Sequence, residues 1–264
     1  MLPFVGYAGA MQIEMRRYSR IFRLMGEALA IVLSILLAFA IDAWWQDRAE
    51  YREETSVLLA LRDEFETNRE VLAQLIAFHS DLRASSLAVL KFAADPTAEI
   101  SADEADLMII DIAWWGSFVT FESASLDAVI LGAKLDLLDN PSLRRMLTDW
   151  RSRLAATAGQ NAQEFEHYTG TLMPILRLRT NLAQISNASL RVPGDVYIES
   201  DDTELPVPAE RLDHRALLTD REFQNAVVDK FWIEEDMLRQ YRWLEPRIEQ
   251  LLETLNSEIA GRHE

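Results

Sequence analysis

Cysteine is absent from this chain of 264 residues, and its absence removes several kinds of chemistry at once. Disulfide bonds, thiolate nucleophiles and zinc sites built on cysteine are all excluded. The absence does not assign a compartment, because proteins inside and outside the cytoplasm can both lack cysteine.

Basic residues are scarce relative to acidic ones. The chain has 26 lysines and arginines against 43 aspartates and glutamates, which gives a net charge of −17. A surface that binds nucleic acid needs clustered lysine and arginine to neutralise phosphates. We therefore expect no nucleic-acid partner.

Sequence motifs of catalysis and nucleotide binding are also missing. The chain contains no Gly-x-Ser-x-Gly elbow, no Walker-type loop and no Gly-x-Gly-x-x-Gly loop. It has one Glu-x-x-His motif, Glu164 to His167, whereas a di-iron helical bundle needs two. We predict that the protein is not an enzyme and holds no metal or other cofactor.

Three groups of titratable residues receive structural interpretations instead. Glu164 and His167 are predicted to lie on a solvated helix face, and residues 234–236 (Glu-Glu-Asp) to form a solvated surface run. His79 lies on an apolar helical seam, where we interpret it as a hydrogen-bonded histidine of the core or of an interface.

Charge is distributed unevenly around an apolar N-terminal segment. Residues 1–23 carry four arginines and one acid, whereas residues 46–264 carry 22 bases and 40 acids. Between them, residues 24–45 are mostly apolar, but the stretch without charge, residues 28–41, has only 14 residues. A membrane span normally needs about 20 apolar residues.

The flanking residues favour a span despite this short core. Acidic side chains lie only near its ends, and a tryptophan pair follows at the depth of lipid headgroups. The residues assigned to the membrane interface are Arg16, Arg17, Arg20, Arg23, Glu27, Asp42, Trp44 and Trp45. The arginines predict a cytoplasmic N-terminus. A cleaved signal peptide and a buried core helix remain as alternatives.

This interpretation gives a domain plan and a location. Residues 1–20 are predicted to be a cytoplasmic tail, residues 21–45 a transmembrane helix in the lipid bilayer, and residues 46–264 an acidic helical domain outside the cytoplasm. The protein would then be a single-pass protein of the inner membrane, with its C-terminal domain periplasmic or extracellular.

The next segment predicts a long stalk helix that continues the transmembrane one. Residues 51–94 contain no glycine or proline, and mostly apolar residues recur at steps of three and four between Leu58 and Val89. Such a seam could pair within one chain or between two chains, so a homo-oligomer through residues 58–89 is one expectation. Asp95 and Pro96 end the helix.

Capping signals divide the remainder into further helices, and the predicted fold class is all-α. Ser101 and Glu104 have capping-box spacing, Asn140 precedes a first-turn proline, and Asp220 or Thr219 begins a last helix over 222–259. That helix should pack antiparallel to the stalk. Residues 185–220 are predicted to form one long loop, with a possible small β-hairpin around 196–198.

Aromatic residues supply the only candidate binding surface. The apolar stretch 114–121 lies between helices, so it either plugs the end of the bundle or forms a surface for a ligand or partner. The candidate residues are Trp114, Trp115, Phe118 and Phe121. Three other tryptophans, in helical patterns, are predicted to be core residues, namely Trp150, Trp232 and Trp243.

Several short segments resemble an uncharacterised bacterial family of single-pass membrane proteins with a helical domain of unknown function. The segments are Gly26-Glu27, residues 41–44, the helix with Leu58, Leu61 and Glu64, residues 123–132, residues 137–144 and residues 220–223. This sequence departs from the family pattern at Ala43 and in its tryptophan pair. The resemblance implies a membrane-anchored helical protein and supplies no catalytic residues.

The sequence therefore favours an interaction or scaffold module of the cell envelope whose specific activity is undefined. The alternative is a ligand-sensing periplasmic domain that signals through a partner membrane protein.

Overall fold

The computed structural model describes the backbone of residues 8–95, 97–113, 120–189 and 204–262. Within these ranges the regular secondary structure is entirely helical and contains no strand, so the all-α prediction is confirmed. The hairpin predicted around 196–198 lies outside the described residues. The chain divides into two units, Met1–Ser56 and Val57–Glu264.

The first helix, α1, runs from Ala8 to Ala94 and ends where Asp95 was predicted to end it. The Asp95 carboxylate accepts hydrogen bonds from the backbone N–H and the hydroxyl of Thr97, which forms a tight turn after the helix. All ten positions of the predicted seam are buried. They are Leu58, Leu61, Phe65, Asn68, Leu72, Leu75, His79, Leu82, Ser86 and Val89. Because side chains of the same chain cover this seam, pairing between two chains stays a prediction.

The predicted membrane span is wrong. Among the helices that the structure describes, none combines the length and the apolar composition needed to cross a bilayer. The charge-free part of residues 21–45 is only 14 residues long, well short of the usual span. The transmembrane helix and the inner-membrane location are therefore both corrected. Large apolar side chains between Leu29 and Trp45 are half or more exposed.

Three further helices follow α1 in the second unit: α2 (Ala102–Ala113), α3 (Ala124–Leu131) and α4 (Pro141–His167). The capping box of α2 is formed as predicted, because Ser101 and Glu104 exchange backbone-to-side-chain hydrogen bonds of 2.7 and 3.2 Å. Asn140 caps α4 by accepting the N–H groups of Ser142 and Leu143.

The remaining helices are α5 (Met173–Arg179), α6 (Leu182–Ser189), α7 (Arg215–Leu218) and α8 (Arg221–Ala260). Tyr168–Leu172 form a π-helical turn between α4 and α5. Asp220 caps α8 by accepting the N–H groups of Glu222 and Phe223. The predicted loop over 185–220 is interrupted, since α6 and α7 occupy its two ends.

Helices α1 and α8 pack antiparallel, as predicted. Arg69 of α1 lies 3.9 Å from Glu249, and His79, ten residues later on the same helix, lies 2.6 Å from Glu234, which comes earlier in α8. The larger apolar core joins these two helices to α3 and α4 and includes Phe65 and Trp150, whose rings meet edge to face. A second core lies among α2, α5, α6, α7 and the start of α8.

Candidate functional site

Only one of the four residues of the predicted aromatic surface lies in the described part of the chain. Trp114, Trp115 and Phe118 lie outside the described residues. Phe121 packs against Trp150 and Tyr241, with ring centroids 5.9 and 6.4 Å apart, so this residue belongs to the main core.

Of the predicted interface residues near the N-terminus, Asp42, Trp44 and Trp45 have described side chains. The two tryptophan rings meet edge to face at 6.0 Å, and Asp42 accepts a long hydrogen bond from Gln46. The side chains of the other five, Arg16, Arg17, Arg20, Arg23 and Glu27, lie outside the described set.

A buried charged cluster lies where α1, α4 and α8 meet. Nδ1 of His79 lies 2.6 Å from one oxygen of Glu234, and the ammonium of Lys230 lies 2.8 Å from the other. The same ammonium is 3.6 Å from Glu164. All four side chains are at most 2% exposed. The predictions that Glu164 and Glu234 are solvated are therefore wrong, while the hydrogen-bonded core histidine is confirmed.

Charge balance explains how this cluster is tolerated in an apolar interior. Burial opposes ionisation of Glu234, but the hydrogen bond from His79 and the charge of Lys230 outweigh it and lower the pKa of this carboxyl. Burial, together with Glu164 and Glu234, raises the pKa of the nearby Tyr241 phenol, which stays neutral. Two carboxylates thus share one ammonium and one imidazole, and breaking such a buried set is strongly destabilising.

The same cluster has the donor set of a metal site. Ligand atoms of His79, Glu164 and Glu234 lie within 4.8 Å of one another, and divalent cations such as zinc take histidine and carboxylate ligands. The ammonium of Lys230, however, already supplies positive charge to both carboxylates. A dication would have to bind beside that ammonium, so the arrangement favours a structural ion network over a metal centre.

A second buried cluster contains an aspartate–histidine pair of the kind that activates nucleophiles. Asp106 lies 2.6 Å from Nδ1 of His214, and both are buried. Nε2 of His214, however, accepts the backbone N–H of Asn181 at 3.2 Å, so it cannot take a proton from a substrate. Gln184 and Arg211 donate to the other Asp106 oxygen. The hydrogen bonds of Asp106 therefore link the segment before α7 to α2 and α6.

A cleft between α4 and α8 forms a cavity in the second unit. Its volume is about 450 Å³, which falls in the usual range for small-molecule sites. Its walls include Met146, Trp150 and Arg153 from α4 and Trp243 and Arg247 from α8. A smaller cavity of about 270 Å³ shares Arg153 and Trp243 with it.

Trp243 fixes two guanidinium groups at this cleft. The guanidinium carbons of Arg153 and Arg247 lie 4.3 and 3.2 Å from the centroid of the Trp243 ring. Arg247 also donates a 2.7 Å hydrogen bond to the Trp243 carbonyl. Neither guanidinium has a carboxylate within 4.0 Å in the described ranges of the chain.

Trp150 adds an unsatisfied donor to the same wall. The residue is only 2% exposed, and its indole N–H has no hydrogen-bond partner among the described residues. Buried donors are nearly always paired, so this indole N–H is an exception. Trp150 and Trp243 were predicted to be core residues. Trp150 is a core residue, and Trp243 is partly buried in the cleft. The prediction for Trp232 is wrong, because this residue is 57% exposed.

The segments that carry the family resemblance hold structural positions. Glu64 of α1 accepts the N–H groups of Ser125 and Leu126 at 2.5 and 3.2 Å and so caps α3 from across the chain. Asn140 and Asp220 cap their own helices. These residues therefore fix helix ends and line no cavity described above.

Comparisons with known proteins add nothing to this geometry. No family model matches the chain, and no curated protein or solved structure matches it significantly. The resemblance noted in the sequence therefore stays a prediction.

Proposed function

We propose that the second unit is a helical binding module that holds a small molecule in the α4–α8 cleft without transforming it. The observation that carries the proposal is a cavity of about 450 Å³ whose wall holds the guanidinium groups of Arg153 and Arg247, neither of which has a carboxylate within 4.0 Å in the described part of the chain. An acceptor group of a ligand placed there would pair with these guanidinium donors. Ligand binding is the part of the sensing alternative that this cleft supports.

The side chains around the cleft are suited to binding and not to catalysis. Arginine holds its proton at all ordinary pH values, and tryptophan is only a donor, so neither moves protons for a substrate. Asp149 is the one carboxylate in the cleft wall, and no histidine accompanies it there. General acid–base catalysis normally uses a positioned pair of titratable groups.

Binding can be tested through the tryptophans themselves. In a ¹H–¹⁵N spectrum each indole N–H gives its own peak, and the seven tryptophans can be assigned by substitution. We expect a small-molecule collection to contain compounds that shift the Trp150 and Trp243 peaks and leave the Trp232 peak unchanged. Trp232 is the matched control, because it lies on α8 but outside the cleft. If no compound moves the two cleft peaks selectively, the proposed function is wrong.

An interaction module is the second candidate, and it is favoured by a different observation. Large apolar side chains are exposed in a series along α1 from Leu29 to Trp45. Exposed apolar residues on a protein surface are usually scattered singly, so a series of them indicates an interaction surface. A protein partner that covers them would remove this area from water. A photo-crosslinking residue at Leu36 should give a discrete protein adduct in cells, and one at Arg52 should not. Equal crosslinking at both positions, or at neither, would rule out docking at this surface.

A further inference from the structure

We infer that the ligand of the α4–α8 cleft is a small organic anion, with a carboxylate or phosphate group and an apolar body. This inference rests on the proposed function and names the chemical class of the ligand. It comes from the charges, the donors and the apolar wall of the cleft.

Two uncompensated positive charges stand close together in the cleft. Because the guanidinium carbons of Arg153 and Arg247 lie 4.3 and 3.2 Å from the same ring centroid, they are at most about 7.5 Å apart. Like charges at this distance repel each other and favour an anion between or beside them. The guanidinium fork also matches the two oxygens of a carboxylate or phosphate.

Neither cleft arginine has a carboxylate partner among the described residues, although acids outnumber bases 43 to 26 in this chain. Several other arginines of the second unit are paired with acids. Examples are Arg62, Arg83, Arg144, Arg151, Arg211, Arg215 and Arg239. The two cleft arginines instead contact Trp243, which holds them in place before a ligand arrives. Such preorganisation lowers the entropic cost of binding.

The rest of the wall fits the two ends of the ligand. Gln250 and Ser152 offer further donors beside the two arginines, so a group with acceptor oxygens fits there. Met146 and Leu251 offer apolar surface for a carbon body. Asp149 is the one acidic side chain in the wall, and it offsets only part of the charge of the two arginines.

Matched probes test the class of ligand on the full-length protein. Benzoate and phenyl phosphate carry the proposed anionic groups, and benzamide is a neutral analogue of the same size. We expect both anions to shift the Trp150 and Trp243 indole peaks, and benzamide to bind at least tenfold more weakly. Added NaCl should weaken the binding of the anions, because it screens exposed charges.

Arginine variants provide the second arm of the test. Arg153→Gln and Arg247→Gln should each weaken benzoate binding about tenfold, the effect of one charge-assisted hydrogen bond. Arg145→Gln on α4 and Arg242→Gln on α8 are the matched controls. They remove the same charge from the same helices but line neither cavity. These controls should leave benzoate affinity unchanged.

The outcomes separate the ligand class from the proposed function. If benzamide binds as tightly as benzoate and the arginine variants have no effect, the anion inference is wrong while the cleft remains a binding site. If neutral and anionic compounds alike leave the Trp150 and Trp243 peaks unmoved, the proposed function fails as well.

Discussion

Replacing Lys230 with methionine tests whether the buried cluster is an ion network that stabilises the fold. Methionine keeps an unbranched apolar side chain but removes the ammonium that contacts Glu234 at 2.8 Å and Glu164 at 3.6 Å. Two carboxylates then share the interior with one imidazole. Even with His79 protonated, one negative charge stays buried and uncompensated.

The expected size of the effect follows from this uncompensated charge. Removing one partner of a buried ion pair costs about 3 to 5 kcal/mol in the free energy of unfolding. For a protein of this size, 1 kcal/mol corresponds to about 2 to 4 °C in Tm. The Lys230→Met variant should therefore melt about 6 to 20 °C below the wild-type protein.

Calorimetry and urea unfolding at neutral pH measure this difference. Lys91→Met is the matched control, since Lys91 is exposed at the end of α1 and its loss should change stability by about 0.5 kcal/mol or less. Adding Glu234→Gln to Lys230→Met removes one of the two carboxylates and should recover part of the lost stability. A Lys230→Met variant that melts within 2 °C of wild type would refute the network.

Three further predictions concern pH and helix capping. Burial, and then the charge of Lys230, lowers the pKa of His167, so the free energy of unfolding should fall as the pH drops below 6.5. The pKa of Glu234 is also lowered, so the free energy of unfolding should fall again below pH 4.5. Urea unfolding from pH 7.5 to 4 measures both steps, and His167→Asn should remove the first; a constant stability from pH 7.5 to 4 would contradict the prediction. The hydrogen bonds from Arg215 lower the pKa of the Asp213 carboxyl to about 2, and an NMR titration should show it rising toward 3.8 in Arg215→Gln, whereas an unchanged value would disprove the assignment. Glu64→Gln should destabilise the protein by about 1 to 2 kcal/mol and speed hydrogen exchange in α3, because a charged cap is lost; unchanged exchange would rule out this role.

The helices themselves were accessible from sequence because local chemistry sets their ends. Ser101 with Glu104, Asn140 and Asp220 each satisfy backbone N–H groups within three residues, so their effect needs no knowledge of the fold. The apolar repeat of α1 likewise predicted which of its faces is buried. Both kinds of signal act over one or two helical turns.

The sequence does not predict the buried cluster of His79, Glu164, Lys230 and Glu234, because charged residues are mostly exposed in proteins. Their charge therefore predicts exposure, and their place on an apolar helical stripe is a weaker signal of burial. Glu164 and Glu234 are 70 residues apart in sequence and meet only when α4 and α8 pack. One local signal was present: Lys230 and Glu234 occupy the same steps of three and four that carry Met237, Tyr241 and Leu244. A charged pair on that stripe predicts a buried ion network.

The span over residues 21–45 was overpredicted for a related reason. The arginines before it and Trp44 and Trp45 after it are typical neighbours of a membrane helix, and they favour a span more strongly than the length of the apolar stretch does. Flanking residues can orient a span but cannot lengthen its apolar core. The 14 residues without charge were the more direct measure.

The charged groups of the buried cluster have partners within the fold, whereas those of the cleft do not. This difference indicates where the function lies. In the cluster, both carboxylates lie beside the Lys230 ammonium and Glu234 also contacts His79, so each acid has a partner within the fold. In the cleft, two arginines lack acids in an acidic chain, and the buried N–H of Trp150 lacks an acceptor among the described residues. Departures from local consistency concentrate at functional sites, because a ligand completes what the fold leaves open. A variant that supplies the missing partner internally should therefore stabilise the protein and abolish binding. Ala156→Glu places a carboxylate in the cleft wall three residues from Arg153, on the same face of α4, and we expect it to raise Tm while preventing benzoate from shifting the Trp150 peak. If this variant instead binds benzoate as well as wild type, the two guanidinium groups are not the anion site.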